Sequence, residues 1–163
     1  MALWAMLRLL HALAGVAFVT GLSGIWIVSG LIRREDSLDR MQTLIRAGEP
    51  FGRMTTIGGS VMAILGLATA VALGRPLLGP LQGGTVDWLF VSVVLILPLF
   101  GFIAVVYPVK GRVIAAALAD ARARGLVTPE LRAARNDPVL RWARTYELVA
   151  VVIVLGLMIA KPF

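Results

Sequence analysis

Three long stretches without a charged side chain dominate this sequence and limit what it can fold into. They cover residues 9–32, 54–74 and 88–109, and each holds at least 21 uncharged residues. About 20 predominantly apolar residues in a helix are enough to cross the ~30 Å hydrocarbon core of a bilayer. The pattern therefore predicts three transmembrane helices.

A fourth apolar stretch, near the end of the sequence, is shorter and follows an acidic residue. Only thirteen residues separate Glu147 from Lys161, which are too few to cross a bilayer. Upstream, Asp137 and Pro138 form a typical helix start, an N-cap followed by proline at the first helical position. We therefore predict the fourth span at residues 139–160, with Glu147 inside the membrane.

The composition is that of a membrane protein rather than a soluble domain. Of the 163 residues, 59% are hydrophobic and 15% are charged, far from the usage of soluble globular domains. The first apolar run is too long for a signal peptide and lacks a small-residue cleavage site, so we assign it to the first span. We expect one all-α domain over residues 1–163, a polytopic four-transmembrane-helix bundle.

The distribution of basic residues predicts the orientation of this bundle. Five Lys and Arg residues lie in the segment 33–53 and eight lie in the segment 110–144, whereas the rest of the chain has three. Cytoplasmic loops of membrane proteins carry such an excess of positive charge. The loops 33–53 and 110–138 are therefore predicted to be cytoplasmic, and the N and C termini to be outside, in a bacterial inner membrane.

Charge and cysteine usage exclude several function classes. The formal net charge of +7 is concentrated between the spans, and the sequence has no nucleic-acid-binding motif, so we expect no nucleic-acid partner. The absence of cysteine excludes disulfides, thiolate metal sites and cysteine catalysis. The expected partners are the lipid bilayer and, beyond it, other membrane subunits or a second copy of the chain.

Both cytoplasmic loops are predicted to contain short helices at the membrane boundary. Apolar residues recur at helical spacing from Leu38 until Gly48. In the second loop, residues 113–124 are rich in alanine, Gly125 ends the helix, and Thr128 precedes a new helix start. These helices are either simple connectors or docking sites. The outer segment 75–87 is dense in Gly and Pro and is predicted to be a loop.

Small residues four positions apart predict close packing between the spans. The pairs are Ala17 with Gly21, Thr20 with Gly24, and Gly59 with Ala63. Such pairs let the backbones of membrane helices approach each other closely, so that dispersion contacts hold them together. We therefore expect a compact bundle.

His11 is the only histidine, and it lies just inside the first span. An imidazole among apolar neighbours can ligate haem in a membrane bundle, and it is also tolerated as a packing residue at the interface. Met158 lies at a similar depth on the fourth span. His11 and Met158 are therefore candidate axial haem ligands, the pairing found in some cytochromes. A site with several metal ligands is not predicted, since no second histidine or cysteine exists.

Glu147 is the most unusual residue of the spans. An ionisable side chain within a span is costly and marks a candidate functional site. Its candidate partners are Arg144, one turn earlier on the same helix, and Tyr107 or Lys110 from the third span. Two interpretations explain a glutamate at this position. Glu147 either forms a structural ion pair or hydrogen bond, or it takes part in proton handling or substrate binding. No residue is identified as catalytic.

Two segments of the chain resemble a known group of bacterial membrane proteins. The first is Arg8-Leu9-Leu10-His11, with Phe18 and then Gly21-Leu22 following, and the second runs from Glu147-Leu148 to Ala160-Lys161-Pro162-Phe163. They resemble the first and last helices of the HemJ-type protoporphyrinogen oxidases. The same outline is similar to the CopD-type copper-resistance proteins and to an uncharacterised family of four-helix integral membrane proteins.

The resemblance implies a four-helix membrane bundle and, in the enzyme branch, a b-type haem on the first-helix histidine, here His11. The enzyme branch carries further histidines, including one on the third helix, whereas residues 88–92 of this chain hold no ligand. This difference favours the uncharacterised branch.

Three hypotheses for the function follow from the sequence. The first is a small membrane protein that serves as an accessory subunit or partner of a larger membrane assembly. The second is a b-type haem-binding oxidoreductase or electron carrier that uses His11. The third is copper or small-solute handling, for which Met6, Met62, Met158 and His11 offer the ligands within the spans.

Overall fold

The computed structural model describes residues 2–161, and every regular element in that range is helical. The helices are α1 (Ala2–Arg34), α2 (Leu38–Ala72), α3 (Trp88–Gly101), α4 (Tyr107–Arg124), α5 (Pro129–Arg135) and α6 (Pro138–Ala160). A π-helical segment, Phe102–Val106, joins α3 to α4, and a 3-10 turn, Gly79–Gln82, lies in the predicted outer loop. The all-α fold class is confirmed. Pro162 and Phe163 of the C-terminal motif lie outside the described residues.

Four helical stretches of the described chain are long and apolar enough to cross a membrane: Leu3–Arg34, Leu38–Ala72, Trp88–Arg124 and Pro129–Ala160. Of the most apolar window in each stretch, between 11% and 28% is buried within the chain. Most of the apolar helix surface therefore faces outward, where lipid or other apolar groups must cover it. The predicted four-helix membrane architecture is confirmed at this level.

The first two spans form a tight antiparallel pair because glycines line their contact. A Cβ atom at Gly21 would lie 2.6 Å from the backbone nitrogen of Thr55, and one at Gly58 would lie 2.9 Å from the backbone nitrogen of Phe18. Neither position has room for a side chain unless the two helices move apart. The close approach that the small residues predict is present between α1 and α2.

A central apolar core connects this pair to the other spans. Its buried members are Phe18 and Leu22 of α1, Leu99 of α3, and Ala150 and Val151 of α6. Side chains from α1, α3 and α6 thus meet at mid-height of the molecule. This core fixes the side of α6 that faces inward, which is also the side that carries Glu147.

The prediction that a separate helix ends at Gly48 is wrong, because α2 continues from Leu38 through Gly48 and Pro50 to Ala72. A Cβ atom at Gly48 would lie 3.3 Å from Val28, so glycine allows α1 to pack closely at this point. Glycine inside a helix costs about 1 kcal/mol relative to alanine. Packing of α2 against α1 offsets that cost.

The helix predicted over residues 113–124 is likewise the continuation of the third span through the π-helical segment. It ends where expected, since Gly125 adopts a left-handed conformation with φ 71°. The hydroxyl of Thr128 then accepts a hydrogen bond from the backbone N–H of Leu131 at 3.2 Å and caps α5. Asp137 caps α6 in the same way, as the Asp137-Pro138 pair predicts.

The extended helices meet in a second apolar cluster at one end of the molecule, made of Met41, Leu118, Ala121 and Leu131. We call this end the basic end: it comprises the end of α1, the start of α2, the second half of α4, α5 and the start of α6. With 35 residues, α2 extends about 52 Å at 1.5 Å per residue. The charged residues of α2 all lie between Asp39 and Arg53, so the start of α2, at the basic end, is the part that extends beyond the ~30 Å bilayer core.

Candidate functional site

Glu147 lies on the inward side of α6 and is 3% exposed. The hydroxyl of Tyr107, at the start of α4, donates a hydrogen bond to its Oε2 atom at 2.7 Å. Lys110, another candidate partner, instead pairs with Asp137 at 2.6 Å. An ionisable group in an apolar surrounding must be hydrogen-bonded to be tolerated, and Tyr107 supplies that bond across the two helices.

Arg144 lies one turn before Glu147 on α6 and is half-buried. It is within electrostatic reach of Glu147 and also of Arg33 on α1. Among the described residues, however, Arg144 forms no ion pair with Glu147 within 4.0 Å. Of the three predicted polar residues, the structure therefore joins Tyr107 and Glu147 directly and places Arg144 beside a cavity at the basic end.

Three aromatic rings meet where the π-helical segment contacts α6, and one of them, Tyr146, directly precedes Glu147 in the sequence. Phe102 meets the rings of Trp142 and Tyr146 edge-on, with centroid distances of 5.8 and 5.6 Å. The hydroxyl of Tyr146 donates a hydrogen bond to the carbonyl oxygen of Leu95 at 3.0 Å. This aromatic cluster is not among the features predicted from the sequence. The spacing of Trp142 and Tyr146, four residues apart on one helix face, was the available signal.

His11 packs against α2 near the opposite end of the molecule. Its Nδ1 atom lies 2.8 Å from the carbonyl oxygen of Met62. A carbonyl only accepts, so Nδ1 must carry the proton, and in the neutral ring Nε2 keeps its lone pair. Gly66 makes room for the ring, because a Cβ atom there would lie 2.8 Å from His11 Cε1. The ring is thereby held in one orientation.

Met158, the other candidate haem ligand, is a half-buried residue of α6. His11 is bonded to α2, and the axial pairing of His11 with Met158 stays a prediction. Within residues 2–161, no group of three or more His, Cys, Asp or Glu side chains comes together as a metal site.

Three hydroxyl groups of the spans, those of Thr55, Thr69 and Ser92, bond to their own helices. Thr55 donates to the carbonyl of Phe51 at 2.9 Å, and Thr69 donates to the carbonyl of Leu65 at 2.7 Å. Ser92 does the same four residues back on α3 at 2.7 Å. Such bonds satisfy a hydroxyl locally and leave it unavailable to a ligand.

No family model, curated protein or solved structure matches this chain.

Proposed function

We propose that this chain is a multi-pass protein of the bacterial inner membrane that serves as an accessory subunit of a larger membrane assembly. The observation that carries the proposal is how the polar groups within the spans are used. Tyr107 is bonded to Glu147, Tyr146 to a carbonyl of α3, and His11 to a carbonyl of α2. Polar groups that are consumed by bonds between helices suit a structural role better than a transport path.

The outward faces of the spans support the same proposal. Ile57, Ile64 and Val71 follow one another at seven-residue spacing on α2 and are each about two-thirds exposed, at 64%, 66% and 65%. This spacing places the three side chains on one face of the helix. A continuous apolar stripe of this kind can be covered by lipid, and it is equally suited to a helix of another subunit.

Photo-crosslinking in living cells tests the proposal. A photoreactive amino acid is placed at Ile57, Ile64 and Val71, and at Val152 and Ile159 on the outward face of α6. We expect one of the two faces to give a protein adduct of a single discrete mass, while the other face gives lipid adducts. Positions rotated by two residues on the same helix are the matched controls, since they should not react with the partner.

Lipid adducts from both faces, with the tagged protein migrating as a lone chain in mild detergent, would contradict an accessory role. A protein adduct of twice the chain mass would indicate a homo-oligomer instead. Both outcomes leave the four-span architecture untouched, so the test addresses the function and not the fold.

A haem-binding oxidoreductase or electron carrier is the second candidate, and a specific observation favours it. Metal-ligating histidines usually donate their second ring N–H to a carbonyl or carboxylate, which fixes the tautomer and leaves the other nitrogen for the metal. His11 makes such a bond through Nδ1 to Met62, so its Nε2 atom is in the right form for ligation. The same tautomer would also suit copper, but within residues 2–161 no further histidine, cysteine or acidic side chains gather into a metal site with three or more such ligands.

We predict that, if this second candidate holds, protein purified from haem-replete cells has a Soret band that His11→Ala abolishes. Met158→Leu would retain the haem and shift the spectrum toward a high-spin form if Met158 is the sixth ligand. A colourless wild-type protein that is folded and monodisperse would exclude the haem hypothesis. His11 would then be a packing residue that connects α1 to α2.

A further inference from the structure

A small cavity of about 50 Å³ lies at the basic end, where α1 and α5 end and α6 begins. Its polar lining consists of Arg33, Arg135, Asn136, Asp137, Arg141 and Arg144. Four of these six residues are arginines from three different helices. At about 10–15 Å³ per buried water molecule, the cavity has room for roughly three to five water molecules. One tetrahedral oxyanion occupies a similar space.

The side chain of Arg135 is only 7% exposed. One terminal nitrogen donates to the backbone carbonyls of Ile32, at 3.2 Å, and Glu35, and so caps the end of α1. The other lies 3.4 Å from Asp36. Its Nε atom is buried and has no hydrogen-bond partner in the described part of the chain. A buried donor of a charged group is costly to leave unbonded, so an acceptor is expected in the cavity.

The carboxylate of Asp137 does not supply that acceptor or neutralise the arginines. One of its oxygens pairs with Lys110 at 2.6 Å. The other accepts the backbone N–H groups of Val139 and Leu140 at 2.8 and 3.2 Å. Glu147, deeper in α6, is held by a tyrosine hydroxyl. Asp137 and Glu147 are thus bonded to other groups, and Asp36 reaches a terminal nitrogen of Arg135 but not its Nε atom.

The other three arginines add positive charge and are not directly paired with an acidic group. Within residues 2–161, the side chains of Arg33, Arg141 and Arg144 form no hydrogen bond or ion pair with protein acceptors. Arg33 and Arg144 are also within electrostatic reach of each other. Like charges held together in a partly closed cavity repel, and a bound anion would remove that cost.

We infer that this cavity binds a phosphate group, either the headgroup of an anionic phospholipid or a free phosphate. Guanidinium groups bind phosphate oxygens through paired hydrogen bonds, which makes arginine the preferred residue for this recognition. The cavity lies where the spans leave the bilayer, and basic pockets between spans at that level suit lipid phosphates. The inference does not depend on the accessory role proposed above.

The test uses the full chain in a non-ionic detergent after removal of bound lipid. One arm measures binding of radiolabelled orthophosphate by equilibrium dialysis. The second arm measures retention of dioctanoyl phosphatidic acid by native mass spectrometry, with dioctanoyl phosphatidylcholine as the zwitterionic reference. We expect one phosphate group per chain, and a loss of affinity of about tenfold in each of Arg33→Gln and Arg141→Gln, the usual effect of one lost charge-assisted hydrogen bond.

Arg122→Gln is the matched control, because Arg122 is an exposed arginine of α4 outside the cavity lining. It removes the same charge from the same end of the molecule and should leave the affinity unchanged. Binding of orthophosphate identifies a free phosphate as the ligand. Retention of phosphatidic acid without binding of orthophosphate identifies a lipid headgroup. No binding in either arm, or equal affinity in wild type, Arg141→Gln and Arg122→Gln, overturns the inference. If Arg33→Gln does not fold, Arg141→Gln, at an exposed position, still decides the outcome.

Discussion

Glu147 and Tyr107 form a hydrogen bond between ionisable side chains of two spans, and the sequence predicts Tyr107 as a candidate partner of Glu147. Glu147 is 3% exposed, and its carboxyl group accepts a hydrogen bond from the tyrosine hydroxyl at 2.7 Å. A buried polar group that loses its partner costs about 1–3 kcal/mol, whereas exchange for an isosteric partner costs much less. The stability of the bundle should therefore depend on the hydrogen bond and not on the charge.

We predict that Glu147→Gln leaves the free energy of unfolding nearly unchanged, because the amide oxygen still accepts from Tyr107. Glu147→Ala and Tyr107→Phe should each lower it by about 1–3 kcal/mol, since each leaves a buried group unbonded. Thermal or denaturant unfolding in detergent measures the difference. Equal stability of Glu147→Gln and Glu147→Ala would mean that the carboxylate contributes nothing to the bundle and is retained for another role.

The partners of individual residues differ in how far the sequence could predict them. Tyr107 was one of three candidates for Glu147 because depth along a span can be counted from its ends. The bond from His11 to Met62 joins residues 51 positions apart. It depends on the register of α1 against α2, which is set by the packing of the whole pair. No local pattern around His11 contains that information.

At the scale of the elements, the contact between α1 and α2 depends on glycines at which any side chain would collide with backbone. Gly21 is the tightest example, because a Cβ atom there would meet both the backbone nitrogen of Thr55, at 2.6 Å, and the carbonyl oxygen of Phe51, at 2.7 Å. Backbone atoms cannot move away as a flexible side chain can. The two helices must separate to accept even a methyl group.

We predict that Gly21→Ala lowers the free energy of unfolding by about 1–3 kcal/mol, the usual cost of overpacking. Gly52→Ala on α2 is the matched control, since a Cβ atom there would have no atom within 4 Å. That substitution should stabilise the helix by about 0.5–1 kcal/mol through its better helix propensity. Unfolding in detergent measures both. A neutral or stabilising effect of Gly21→Ala would show that the close contact of α1 and α2 is not needed.

The helix ends predicted from the sequence match the structure where capping residues specify them. They differ from it where packing between helices overrides the local preference. Asp137 and Thr128 cap helices as their types predict, and Gly125 ends one. Gly48 and Pro50 would end a helix in isolation, but α2 continues through both because α1 packs against it. The boundary helices expected before Gly48 and over residues 113–124 are therefore extensions of the spans, whereas the helix expected after Thr128 is the separate short helix α5.

At the scale of the whole molecule, the four spans continue at the basic end into helices that extend beyond the bilayer. The second apolar cluster, with Met41 and Leu131 each 1% exposed, gives this end a small core of its own. Apolar runs and charge counts were enough to predict four spans. They could not predict this cluster, since it is formed by residues from α2, α4 and α5 that meet only in the folded chain.

Labelling of single cysteines with a membrane-impermeant maleimide tests whether the chain crosses the membrane with its basic end in the cytoplasm. The chain has no native cysteine to interfere. Leu81, in the loop between α2 and α3, is 79% exposed, and Leu126, after α4, is 54% exposed. We predict that Leu81→Cys is labelled in intact spheroplasts and that Leu126→Cys is labelled only after the membrane is disrupted. Labelling of Leu126→Cys in intact spheroplasts would contradict the membrane crossing, the orientation, or both.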